Sequence, residues 1–190
     1  MLLVRILCLG DSLTYGYGVR RAAAWPQLLS EKLGCPVDNA GVSGDTTGGM
    51  LARFAARNPD TAWTHLIVMG GSNDLIMGLS EAHALSNLKT IIYQAVQAGM
   101  QVTVGIPIAP GYEAEAFPHL PKEQYPVLER GRDRIKKELE SFCAAGGLCR
   151  VIDFQEFIEG ETGVYLDGLH LSEKGNRLVS EGLYAKTKKR

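Results

Sequence analysis

The sequence has no charge of one sign to spare: 20 Lys and Arg against 21 Asp and Glu leave a net charge of −1 at neutral pH. So balanced a surface makes no broad positive field to gather phosphates, which argues against nucleic acid as a partner. Long hydrophobic runs are missing as well. The N-terminal MLLVRILCLG contains Arg5 and passes directly into a turn, with no basic leader, small-residue cleavage site or membrane-length span. That pattern implies a cytoplasmic protein without stable membrane insertion. Cysteine is scarce. The four at positions 8, 35, 143 and 149 form no Cys-x-x-Cys pair and have no histidine nearby at ligand spacing, so they read as small buried or half-buried thiols. His65, His83 and His119 likewise stand at no metal-ligand spacing from acids or thiols and suit surface or capping roles. Neither a metal nor a cofactor is expected. Repeats, linkers and low-complexity tracts are absent, and 190 residues with 45% hydrophobic content suit one domain over 1–190. The sequence carries no signal on oligomeric state.

What is present is a regular alternation. Apolar runs rich in branched residues occur at 2–9, 36–39, 65–70, 101–106 and 150–154. Stretches with helical spacing lie between and after them, at 23–33, 46–57, 81–98, 121–144 and 172–187. Gly34 and Gly99 close helices, Ser80 and Ser172 stand where N-caps belong, and Pro107 and Pro110 stop any helix after the fourth strand. Strands alternating with helices require crossovers that return the chain to the same edge. The expected architecture is therefore a three-layer α/β/α domain on a five-stranded parallel sheet of flavodoxin-like type.

In such a sheet, ligands sit beyond the carboxyl ends of the strands. The residues that follow each strand are Gly10-Asp11-Ser12-Leu13, Gly41-Val42-Ser43-Gly44-Asp45-Thr46, Gly70-Gly71-Ser72-Asn73-Asp74 and Asp167-Gly168-Leu169-His170. Acyl transfer by a serine needs a nucleophile, a base, a group that orients the base, and donors for the oxyanion. This rim offers all of them. Ser12 supplies a hydroxyl and its own N–H, Gly44 an unobstructed N–H, and Asn73 an amide. Asp167 and His170, three apart, can place a carboxylate beside an imidazole. A lone Gly-Asp-Ser-Leu would be ordinary turn chemistry, whereas four blocks on one rim point to a site. No Gly-x-Ser-x-Gly elbow occurs. Asp11 and Asp74 suit the bracing of loops through backbone N–H groups.

These four blocks, in this order, resemble the SGNH hydrolases, the GDSL family of esterases and lipases, from about residue 5 to residue 175. The resemblance implies that Ser12 is the nucleophile, that Gly44 and Asn73 contribute to the oxyanion hole, and that Asp167 and His170 complete the triad. The segment Asn39 to Thr47, with Ala24-Trp25-Pro26 upstream, is most similar to bacterial arylesterases and thioesterase I/lysophospholipases. The expected activity is cleavage of a small-molecule ester or thioester through an acyl-enzyme. A carbohydrate O-deacetylase shares the blocks and is the enzymatic alternative. A non-enzymatic flavodoxin-like domain that cradles an anion or nucleotide is the alternative from another class.

Substrate contacts are expected from two segments: Leu75-Ile76-Met77-Gly78-Leu79, apolar where a loop should be polar, and the proline-rich loop 107–126 with Tyr112 and Phe117. Leu75, Met77 and Leu79 would line an acyl groove, and Tyr112 and Phe117 would form a partial lid. The bland reading of the first segment is a buried first turn of the following helix. Short to medium acyl chains are expected.

Overall fold

The structure, a computed structural model, describes residues 4–57 and 63–188. Five parallel strands, β1 (Ile6–Gly10), β2 (Val37–Gly41), β3 (His65–Met69), β4 (Gln101–Ile106) and β5 (Arg150–Asp153), form one sheet in the order β2-β1-β3-β4-β5. That is the flavodoxin-like order, in which the topology switches direction beside β1. The first strand is shorter than the apolar run 2–9. Leu2 and Leu3 lie outside the described residues, as do Lys189 and Arg190.

Each of the expected long helices is present: α2 (Trp25–Leu33), α3 (Thr47–Ala56), α5 (Glu81–Gln97), α6 (Tyr125–Gly146) and α7 (Glu173–Thr187). Two short ones, α1 (Ser12–Tyr15) and α4 (Ser72–Ile76), have too few turns to leave a periodic trace in the sequence. The caps explain the boundaries. Ser80 and Ser172 accept from the N–H groups of His83 and Gly175, and Gly34 closes α2 in the left-handed conformation.

β1 reads as an unbroken apolar run because both faces of the sheet are covered. Leu7 and Leu9 point into a core with Leu66, Val68, Val104 and the inner faces of α3, α5 and α6. Ile6 and Cys8 point the other way, among Trp25, Leu29, Ile67, Val179 and Leu183 under α2 and α7. Among the described residues no helix is long and apolar enough to cross a membrane. The cysteines depart from expectation in part. Cys8 is buried and Cys35 half-buried, both as thiols, but Cys143 and Cys149 are joined in a disulfide across the connection from α6 to β5. Linear spacing misses this because Gly146 and Gly147 fold the chain back at the end of α6, which brings the two Cα atoms to 5.0 Å.

Candidate active site

The carboxyl ends of β1, β2 and β3 deliver three of the four blocks to one rim, and the segment after β5 delivers the fourth. Ser12 is the first residue of α1, immediately after β1, so no carbonyl of that helix claims its N–H. Asp11 caps the helix by accepting from the Leu13 N–H at 2.9 Å. Its second oxygen is buried without a hydrogen-bond partner among the described residues. Burial, resisted by the Leu13 N–H and helped by the charges of Asp45 and Asp74, pushes the Asp11 carboxyl up to about 7.

The Ser12 hydroxyl lies 3.0 Å from His170 Nε2, and the opposite ring nitrogen, Nδ1, lies 2.9 Å from Asp167 Oδ2. A carboxylate only accepts, so Nδ1 carries the proton and Nε2 faces Ser12 as the acceptor. Ser12 is 7% exposed and His170 3%. Asp167 also accepts from the N–H groups of Leu169 and His170 at 2.8 and 2.7 Å. Burial raises its pKa, but the hydrogen bonds from the His170 ring and from these two N–H groups outweigh burial, and the net shift is downward.

Gly44 holds φ +78°, a conformation that disfavours a side chain, and its N–H meets no acceptor among the described residues. Asn73 sits near the start of α4 and donates one amide hydrogen to the Asp45 carbonyl at 2.9 Å, which leaves the other to offer. Asp74 accepts from the Thr47 N–H at 2.9 Å and the Thr47 hydroxyl at 2.6 Å, tying the loop after β3 to the start of α3.

Arg53 escaped the reading of the sequence. From the middle of α3 it forks onto Asp45 Oδ2 at 2.9 and 2.6 Å and donates to the carbonyls of Ala40 at 2.8 Å and Gly10 at 3.2 Å. One guanidinium thus fixes the ends of β1 and β2 and the loop that carries Gly44. Tyr17 was missed too. Its ring lies 4.3 Å from the His170 imidazole between centroids, tilted by 35°.

The loop after β4 reaches the same place. Arg132, buried in α6, donates to the Pro107 carbonyl at 2.6 Å and pairs with Asp153, which anchors the loop's base. Farther along, the Gly111 N–H donates to the Gly168 carbonyl at 3.0 Å and the Gly168 N–H donates to the Glu115 carbonyl at 2.6 Å. Gly168 is one of the two residues between the carboxylate and the imidazole, so the loop braces their turn. A Cβ at Gly168 would stand 1.7 Å from the Tyr125 hydroxyl, so the brace tolerates no side chain there. Phe117 packs edge-on against the imidazole at 4.9 Å.

The five residues expected to touch substrate have different surroundings. Met77 and Leu79 are exposed, 60% and 39%, and do not form a buried first turn. Leu75 faces inward and packs against Gly131 of α6. Phe117 adjoins His170, as above. Tyr112 stands farther out, its ring 5.2 Å from that of Tyr125 and its hydroxyl donating to Glu129 at 3.2 Å. Among the described residues no cluster of three His, Cys, Asp or Glu could hold a metal ion.

Known proteins resemble this chain in both sequence and fold. It is 31% identical over 113 residues to Esterase TesA of Pseudomonas aeruginosa, a segment that is 56% of each chain. It is 36% identical over 100 residues to Thioesterase 1/protease 1/lysophospholipase L1 of Escherichia coli strain K12, 50% of this chain and 47% of that one. The matched segment thus spans about half the length of these relatives. The solved structure described as that of TesA superposes with a TM-score of 0.78 at 25% identity, covering 97% of this chain and 98% of the other. The family model for the GDSL-like Lipase/Acylhydrolase family matches residues 8–178, which contain all four rim blocks, and the chain belongs to that family.

Proposed function

We propose that the protein is a carboxylic ester hydrolase in which Ser12 is the nucleophile, His170 the general base and then acid, and Asp167 the group that orients it. The observation that carries this reading is the hydrogen-bonded line Ser12, His170, Asp167 at 3.0 and 2.9 Å, held within one rim. The first step moves the Ser12 proton to His170 Nε2 as Oγ bonds to the substrate carbonyl carbon. The negative charge then rests on the carbonyl oxygen, within reach of the N–H groups of Ser12 and Gly44 and the free amide hydrogen of Asn73. His170 returns the proton to the leaving alkoxide or thiolate, which gives the acyl-enzyme, and water repeats the sequence to release the acid. The rings of Tyr17 and Phe117 narrow water's access to the imidazole.

The substrate class follows from the surface around the site. Tyr15, Tyr17, Val42, Met77, Leu79, Tyr112 and Leu166, all on rim segments, are exposed large apolar residues. Such a collar suits an apolar acyl or alcohol group better than an acetylated sugar, and short to medium acyl chains best fit an open groove. Met77 and Leu79 are its specificity contacts, with Tyr112 and Phe117 beyond them. For the compartment, the Cys143–Cys149 bridge supports an oxidising one over the cytoplasm suggested by the sequence, since cytosolic thiols are kept reduced.

The test is a panel of p-nitrophenyl esters and acyl thioesters of increasing chain length run beside acetylated sugars. Activity that rises from acetate through the short chains and then falls agrees with the proposal. Turnover confined to sugar acetates would assign a carbohydrate O-deacetylase instead, and no turnover at all would return the domain to a binding role.

A further inference from the structure

At the opposite end of the sheet from Ser12, where the strands begin, lies a partly open cavity of about 610 Å³. That volume lies within the range of small-molecule sites. Ile6, Ile67 and Ile152 form its floor on the sheet, and Leu29, Leu33 and Leu183 form its walls on α2 and α7. None of the catalytic blocks reaches it. Its lining includes no aspartate or glutamate, while Arg150 and Lys186 stand at its edge. Lys186 is spoken for by Glu156 at 3.0 Å. Arg150 donates from Nη1 to the Lys186 carbonyl at 3.2 Å and, among the described residues, has no carboxylate partner. α2 and α7 both end here, and their last carbonyls carry partial negative charge. Two helix ends of about half a charge each offset the guanidinium's whole one, so what the edge offers an anion is the guanidinium's five N–H donors, four of which have no acceptor among the described residues.

An apolar cavity with a guanidinium at its edge that meets no carboxylate among the described residues matches an amphiphilic carboxylate in shape and in hydrogen-bond donors. We propose that this cavity is a second ligand site, which holds a straight-chain carboxylate with its chain among the six aliphatic side chains and its head group on Arg150. The inference does not rest on the reading of the catalytic rim and would stand if that reading failed.

Cys35 lines the same cavity and supplies a local reporter. Of the two free thiols Cys8 is buried, so Cys35 is the accessible one. The experiment measures alkylation of Cys35 in the intact protein, followed by peptide mass, against increasing dodecanoate or the uncharged dodecanol, each below its aggregation limit. The expected result is saturable protection by both. Arg150→Gln should raise the dodecanoate concentration needed by about tenfold, as fits removal of a charge-assisted hydrogen bond, and leave dodecanol unchanged. The thermal melting profile of this variant should match that of the unaltered protein and so report a folded chain. Leu33→Trp, which fills the cavity from the half-buried end of α2, should abolish protection by both ligands. An unaltered protein in which dodecanoate gives no protection would mean that the cavity is closed or filled by the protein itself and would overturn the proposal. Equal dodecanoate protection with and without Arg150 would overturn it as well.

Discussion

The two halves of the rim are built differently. On the side of Ser12, Gly44 and Asn73, nearly every polar group is tied to another loop: Arg53 holds three segments, Asp74 holds Thr47, and Asn73 holds the Asp45 carbonyl. On the side of Met77, Leu79 and Tyr112, the side chains stand exposed at the ends of short segments. The first half fixes positions to within a hydrogen bond, as transition-state stabilisation requires, whereas the second offers area that a chain can slide along. Under the proposed function chemistry and selectivity are separable, and substitutions on the two sides should fail in different ways.

The largest effect should come from the base. His170→Ala should lower turnover on the order of 10⁴-fold or more, and Asp167→Ala should cost less, because an unsupported imidazole still accepts a proton. Near-normal kinetics in His170→Ala would place the base elsewhere. Asn73→Ala should lower kcat by about 10²–10³-fold with a native melting profile, the size of one oxyanion donor. A change confined to KM would remove Asn73 from the tied half.

Asp11 tests the cost of holding that half together. Its folded pKa, near 7, lies above the ordinary 3.8, so the protonated form is favoured in the folded state. The associated stability is fully present below pH 3.8 and is lost as pH rises through about 7. Asp11→Asn keeps an acceptor for the Leu13 N–H and cannot ionise. Urea unfolding at pH 5 and pH 8 should show this decline in the unaltered protein, by at most about 3 kcal/mol, and a flatter profile in the variant. Identical profiles would mean that the buried carboxyl is neutralised in another way.

The smallest effect belongs to the exposed half. Met77→Ala or Leu79→Ala should shift or flatten the chain-length optimum, mostly through KM, by about 0.8 kcal/mol for each substrate methylene left uncovered. An unchanged chain-length profile in both variants would remove that segment from the acyl groove.

Part of this division was legible in the sequence and part was not. The strands announce themselves because a sheet covered on both faces needs continuous apolar runs, as Ile6 to Leu9 show. The four blocks announce themselves because turn residues at strand ends rarely combine a serine, a glycine, an asparagine and an Asp-x-x-His. Arg53 does not: an arginine on an amphipathic helix reads as a solvated charge, and only the fold turns its long stem toward three carbonyl-rich loop ends. Gly168 reads as a spacer within the Asp-x-x-His block, yet the loop after β4 pairs with both its N–H and its carbonyl. Tyr17 and the disulfide share that reason, since their partners meet only after the chain has turned back. Leu75 shows the converse. Period and polarity do not tell that its side chain turns under α6 while Met77, two residues on, faces out.

Everything proposed for the rim requires that Ser12 alone be both paired to a base and set before oxyanion donors. Treatment with an organophosphonate ester followed by peptide mass spectrometry probes that requirement, since only a serine so activated reacts readily. One adduct is expected, on Ser12, and it should fail to form in His170→Ala. A label on Ser43 or Ser72, or none on the active protein, would refute the assignment.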